Sequence, residues 1–384
     1  MFHPCLPNDN WGHLAQETRK PKLMNIFYEL KYLVMITRRN LFTYLLISIV
    51  ITNSYAQSQN EKGVKLVRSD VKERVDIYVD GSLFTSYRYP SGFEKPYLFP
   101  VNAPSGSVIT RGYPIEPRKG ERVDHPHHTG IWFNYGNVNG LDFWNNSSAI
   151  ASDKKDGYGH IVHKKILKAE SGKQGLLEVV MNWDDNKGNT LLKEHTKYIF
   201  SGDGKSRTID HISTLTAVNG PVTLGESKEG MFAIRVDRAF EMPSNESLIF
   251  TDDKGNPTTV KATDNTGVTG MYTSSQGLKG DAVWGTRNTW VVLTGVKDGT
   301  TISFGIFDNP KNPGFPAYAH ARGYGLFALN NLGRNSYDPK QEKASITLGK
   351  GQSITLIHRF CVNSGSEITA EEANKISNEF SKAY

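Results

Sequence analysis

Three histidines fall within four positions in Arg122-Val123-Asp124-His125-Pro126-His127-His128-Thr129-Gly130-Ile131-Trp132. An imidazole titrates near neutral pH, so it can take a proton from a substrate and return it, or offer a ring nitrogen to a metal. Pro126 removes a ladder hydrogen bond and biases His125 away from helix geometry, which makes the segment loop or strand edge. Written as extended chain, it turns His125 and His127 to one side and His128 to the other. Two chemistries stay open: acid-base catalysis by His125, His127 and His128, or a divalent metal on a His-x-His pair completed by His160, His163, His195, Asp124 or Asp142. No organic cofactor is expected, since the sequence has no Gly-rich phosphate loop, dinucleotide fingerprint or Gly-x-Ser-x-Gly elbow. Cys361 lies in an apolar run that suits a buried thiol better than a nucleophile.

Aromatic residues crowd the same stretch: Trp132, Phe133, Tyr135, Phe143 and Trp144, interleaved with Asn134, Asn137, Asn139 and Asp142. Alternating aromatics describe an ordinary strand core. They also describe a sugar cleft, where a ring face stacks on the aromatic and the hydroxyls meet the polar side chains. On the second reading Trp132, Trp144 and Asp142 bind substrate. Further along, Glu229 and Arg235 flank an apolar run, on faces the sequence leaves unassigned. His320 and Arg322 stand two apart and share a face if extended. Such a pair can hold a carboxylate through the arginine fork while the imidazole moves a proton, which points to an anionic substrate such as a uronic acid.

The elements that must position these groups are strands. Beyond Gln57, apolar and polar residues alternate in short runs punctuated by Gly, Asn and Asp. Val75 to Val79, Asp80-Gly81 and Ser82 to Tyr89 form one predicted hairpin, with a turn able to take positive φ. Similar units surround Asn186 to Asn189, Gly202 to Lys205, Lys297 to Gly299 and Gly349 to Gly351. Only the C-terminus reads as helix: Thr369 and Glu372 have capping-box spacing, and Ala373, Ile376 and Phe380 share a face that would pack on the sheet edge. The expected architecture is all-β, one large antiparallel β-sandwich over 64–362 with a short C-terminal helix within 363–384.

Lys and Arg number 45 against 39 Asp and Glu, a formal charge of +6. Residues 35–56 read as a signal peptide, with Arg38 and Arg39 before a short apolar run and Ser54-Tyr55-Ala56 as the cleavage site. Residues 1–34 then look like an upstream extension or a misplaced start. Removing residues 1–56 takes away six basic and three acidic residues, leaving 39 against 36, or +3, with no basic patch to recruit nucleic acid. The processed chain has no apolar stretch long enough to span a bilayer, keeps Cys361 as its one cysteine, and belongs in the periplasm.

The run from His125 to Phe133, then Val138-Asn139-Gly140-Leu141-Asp142-Phe143-Trp144, Lys228-Glu229-Gly230-Met231-Phe232, Trp284-Gly285-Thr286-Arg287-Asn288-Thr289-Trp290 and His320-Ala321-Arg322-Gly323-Tyr324-Gly325-Leu326-Phe327 resembles the PmoA-like family of exported bacterial proteins. That resemblance spans roughly 70–362 in the same order. It implies a galactose-mutarotase-like supersandwich, whose relatives are mostly sugar epimerases, lyases and hydrolases. The family more often has Arg in place of Thr129 and Asp in place of Gly323. Residues and resemblance together lead to an expected periplasmic carbohydrate lyase or hydrolase acting on oligosaccharides from polysaccharide breakdown. His125, His127, His128, Glu229 and His320 would transfer protons, and Trp132, Asp142, Trp144, Arg235 and Arg322 would bind the sugar. A non-catalytic glycan-binding protein and a histidine-ligated metalloprotein are the alternatives.

Overall fold

The computed structural model describes Met35 and residues 62–246, 248–252, 254–260 and 264–384. Apart from Met35, the expected signal peptide and the extension before it lie outside these residues.

Two antiparallel sheets account for most of the chain. The nine-stranded sheet runs in the order Val64–Ser69, Arg74–Val79, Ser82–Arg88, Tyr97–Val101, Ile131–Tyr135, Gly230–Arg235, Leu326–Asn330, Ala317–Ala321 and Arg287–Asn288. The eight-stranded sheet runs Met271–Ser274, Trp290–Lys297, Thr300–Asp308, Ser353–Ser364, Ser206–Ala217, Thr190–Gly202, Gly175–Asp185 and Gly159–Glu170. The class is therefore all-β, a large antiparallel sandwich with a C-terminal helix. Asp80 and Gly81 make the tight turn of the second and third strands with φ of 47° and 77°, the left-handed pair that matches strand twist.

Side-chain alternation assigns the layers. Phe133, Phe232, Ile234, Phe327 and Leu329 of the first sheet pack with Trp183, Phe200, Leu215, Phe304 and Phe360 of the second to form the interior. The intervening residues Trp132, Ala233, Leu326 and Ala328 face the other way and form a smaller apolar cluster with Tyr97, Phe99 and Trp144. Ile131–Tyr135, Gly230–Arg235, Ala317–Ala321 and Leu326–Asn330 are buried at every position, because loops cover the outer face of the nine-stranded sheet here. A strand covered on both sides loses the apolar-polar alternation of a half-exposed one.

Two expectations need correction. The runs flanking Gly349 to Gly351 are not a hairpin: Ile346–Leu348 pairs with Val222–Leu224, whereas Ser353–Ser364 pairs with Ser206–Ala217 and Thr300–Asp308. The glycine turn carries the chain between sheets. The helix, Ala370–Ala383, has its capping box, with the Glu372 N–H on Thr369 Oγ1 at 3.2 Å and the Thr369 N–H on Glu372 Oε2 at 2.9 Å. It packs on the face of the eight-stranded sheet rather than its edge, burying Ala373 and Phe380 against Trp290, Phe307 and Cys361. Burial there pushes the Cys361 thiol up to about 12, so it is inert. Among the described residues no helix is long and apolar enough to cross a membrane.

Candidate functional site

The histidine segment is a turn, not extended chain. The His128 N–H donates to the His125 carbonyl at 3.0 Å, His125 has φ of 42°, and Gly130 has φ of 57°. A Cβ at Gly130 would stand 2.1 Å from the Leu98 carbonyl oxygen, so only glycine allows this approach to the neighbouring strand. The turn gathers the three imidazoles instead of splitting them between faces. Ring centroids lie 5.5 Å apart for His125 and His127, 4.8 Å for His125 and His128, and 4.4 Å for His127 and His128. Tyr324, His125, His128 and Trp132 follow one another as stacked rings, 5.2, 4.8 and 5.2 Å apart.

Two buried arginines form the floor. Arg235 ends the strand Gly230–Arg235, is 0% exposed, and donates to Asp124 Oδ1 at 2.8 Å and to His128 Nδ1 at 3.1 Å. Arg111 donates to the same Asp124 oxygen and to the carbonyls of Tyr113, Arg122 and His125. A guanidinium can only donate, so His128 Nδ1 must accept, leaving a neutral ring with its proton on Nε2. Burial and the neighbouring positive groups push His128 well below its ordinary range. For Asp124, burial acts upward, but the His125 hydrogen bond and the two guanidiniums outweigh it and hold the carboxyl well below the usual range. Asp124 Oδ2 lies 3.2 Å from His125 Nδ1. A fixed carboxylate on Nδ1 orients the imidazole and leaves Nε2 as a base, and the His125 side chain remains 41% exposed.

The opposite wall has a carboxyl and another imidazole. Glu229 precedes its strand, and His320 projects from the outer face of Ala317–Ala321, with its Nδ1 3.7 Å from Glu229 Oε2. Burial, with the charges of Arg322 and Lys228, pushes His320 down to about 3. Burial raises Glu229, against the pull of Lys228. A carboxyl whose hold on its proton is strengthened by burial, beside an imidazole kept neutral, is an arrangement suited to proton exchange with a ligand.

Between these walls lies a cavity of about 250 Å³ lined by His125, His127, His128, Trp144, Asn145, Lys228, Glu229, His320, Arg322, Tyr324 and Leu326. All five histidine and glutamate candidates thus meet, and Arg322 joins them. Three proposed sugar-binding residues do not. Trp132, 2% exposed, lies beneath the histidines and gives its indole N–H to Asn134 at 3.1 Å. Asp142 ties its own loop, accepting from the Trp144 and Asn145 N–H groups at 2.8 and 2.9 Å. Arg235 is committed to Asp124 and His128. Trp144 lines the cavity but is 1% exposed and offers no open face for stacking. The half-buried Tyr324 and Trp284, with the Arg322 guanidinium 5.6 Å from each ring, are the accessible aromatics instead.

The residues invoked to complete a metal site are engaged elsewhere: His160 with Glu94, His163 with Tyr87 and Tyr89, and His195 with Glu178 at 2.6 Å. Among the described residues no three His, Cys, Asp or Glu side chains form a group able to hold a metal ion. Sequence reasoning missed Lys95 and Arg111. Lys95 is buried, donates to the His127 carbonyl at 2.6 Å, and lies 5.5 Å from the Trp132 ring centre. Burial pushes it down to about 7. Its surroundings, Gly92-Phe93-Glu94-Lys95-Pro96, read as a surface turn and carried no signal.

Residues 74–378 match a described family over most of the chain. The chain belongs to a family of unknown function (DUF6807). All the motifs that suggested PmoA-like kinship fall inside the matched span, but the membership shown is in this family. No curated protein matches the chain. Among solved structures it is similar to the galactosidase domain of the α-galactosidase–sucrose kinase AgaSK, at TM-score 0.39 and 11% identity over 79% of this chain and 42% of that one. It is also similar to the Slr1438 protein of Synechocystis (0.32, 9%, 80% and 97%) and a galactose mutarotase-like protein of Clostridium acetobutylicum (0.28, 11%, 79% and 99%). The chain thus spans less than half of the first of these. Likenesses at such TM-scores carry no argument about function, and the fold class rests on the two sheets themselves.

Proposed function

We propose that this family member is a periplasmic carbohydrate-active enzyme that cleaves uronate-containing oligosaccharides by proton transfer, with elimination as its chemistry. The supporting observation is the pairing across one cavity of His125, oriented by Asp124, with Glu229, which burial shifts upward. A two-carboxylate hydrolase needs a second carboxyl in reach of the bond. Glu229 is the one carboxyl lining this cavity, because Asp124 is held by two arginines and Asp142 by its own loop. Arg322 and Lys228 supply the cations that would pair with a uronate carboxylate and make its neighbouring C5–H more acidic. His125 takes that proton, the C–H electron pair becomes the C4=C5 double bond, the C4–O bond breaks, and Glu229 protonates the leaving oxygen.

The test incubates the purified protein with neutral and uronate-containing oligosaccharides, following products by ultraviolet absorbance and mass spectrometry. An unsaturated uronate product that disappears in His125→Ala is the expected result. Products that have gained water across the bond would make the enzyme a hydrolase. Sugar binding without any product, equal in His125→Ala, would sink catalysis and leave a glycan-binding protein.

A further inference from the structure

A second cavity, of about 400 Å³, adjoins the first and shares Arg322 and Tyr324 with it. Its remaining wall includes Trp284, Asp281, Arg122 and Gly323. Its chemistry is unlike the catalytic cavity, for it contains no histidine. Trp284 is half-buried with its indole N–H sealed from solvent, so what it offers this cavity is ring surface. Arg122 is already neutralised, its Nε donating to Glu241 at 2.6 Å, so it shapes the wall rather than attracting charge. Arg322 differs: no carboxylate pairs with its guanidinium among the described ion pairs, and it lies 5.6 Å from the ring centres of both Trp284 and Tyr324, at the boundary of the two spaces.

We propose that this second cavity is a sugar subsite, so that the protein takes a disaccharide or longer chain lying across Arg322, one residue in each cavity. The inference rests on the carbohydrate reading above and adds the minimum substrate length and the residues that set it. The Arg322 fork takes the carboxylate at the junction, the Trp284 ring packs against the C–H face of the sugar, and Asp281 accepts from hydroxyls. Gly323 leaves the space open. A Cβ there would meet only ordinary contacts, 3.5 Å from Met242 and 3.6 Å from Asp281 Oδ1, so a larger side chain would fill the cavity without disturbing the fold.

The experiment measures affinities for galacturonate, glucuronate and mannuronate and for their homodisaccharides by calorimetry. The full protein carries His125→Ala so that no disaccharide is cleaved during the titration, and wild type here denotes an unaltered second cavity. Wild type is expected to bind its preferred disaccharide at least tenfold more tightly than the monosaccharide. In Gly323→Leu that ratio should fall to near one, and in Trp284→Ala, which removes the aromatic surface, by about fivefold. Thermal midpoints confirm that both variants fold. Equal affinities for mono- and disaccharide in wild type would overturn the subsite while leaving the catalytic cavity intact. A wild-type preference that survives Gly323→Leu would place the second sugar elsewhere and also overturn it. Absence of binding to every uronate would instead overturn the carbohydrate reading beneath it.

Discussion

Histidines gather in two places in this molecule, on the outer face of the nine-stranded sheet and between the sheets. In the interior, His211 is 0% exposed, has no partner on either ring nitrogen, and lies among Phe133, Phe232 and Tyr198 at 4.8 to 5.3 Å. His358 lies parallel to Phe232 and hydrogen-bonds Asn331 at 2.8 Å. Burial drives His211 well below its ordinary range and His358 to about 3, much as it drives His320 to about 3 and His127 to about 2. A displaced titration therefore marks burial in both places and singles out neither. The outer cluster differs because it borders open space and has charges fixed around it.

The buried glutamates repeat the contrast. Glu194, between the sheets, is raised by burial but accepts from Trp183 Nε1, Thr196 Oγ1 and Ser213 Oγ at 2.5 to 2.9 Å. Glu229 is also raised, but its nearest ionisable neighbours, Lys228 and His320, stand at 3.6 and 3.7 Å. One carboxyl is used up in holding the core, whereas the other keeps hydrogen-bonding capacity for a substrate.

The largest expected effect separates these two carboxyls. Glu229→Gln should lower turnover a hundredfold or more and shift the unfolding midpoint little, whereas Glu194→Gln should cost about 1–3 kcal/mol of stability and spare turnover. If both variants lost turnover equally, the contrast would collapse. Arg235→Met comes next. It removes a buried guanidinium from Asp124 and should cost about 3–5 kcal/mol in chemical denaturation, and a loss under about 1 kcal/mol would show that Arg111 holds Asp124 alone.

The pH dependence is smaller and has a definite sign. An imidazole at about 3 when folded and near 6.5 when unfolded is protonated first in the unfolded chain. Stability is then fully present above about pH 6.5 and falls as pH drops towards 3, by about 1.4 kcal/mol per pH unit for each such group. His358→Phe should flatten the slope between about pH 6 and 4 by one group's share without changing turnover. An unchanged slope in urea titrations would count against burial as the cause. The smallest effect belongs to Thr369→Ala, expected to cost about 1 kcal/mol through the lost helix cap while both histidine clusters keep their behaviour.

Much of the architecture was legible because it is local. Asp80-Gly81 announces its turn, alternation announces the strands, and Thr369 with Glu372 announces the helix. The run Ala344 to Phe360 misled, because a glycine turn looks the same whether it closes a hairpin or moves the chain between sheets. Pairing is a long-range choice made by the strands available to each partner.

The same division holds at the site. From residue types alone, His125, His127, His128, Glu229, His320 and Arg322 could be singled out, since acid-base chemistry and anion binding require those groups and few positions cluster them so closely. Only the tertiary structure decided that the histidine segment turns, that Trp132 and Arg235 go underneath, and that Lys95 arrives from a distant turn. Burial depends on what the rest of the chain places overhead, and with it go a residue's solvation, its charge state and its access to a ligand. A linear sequence specifies side chains and their immediate neighbours, and these properties belong to neither.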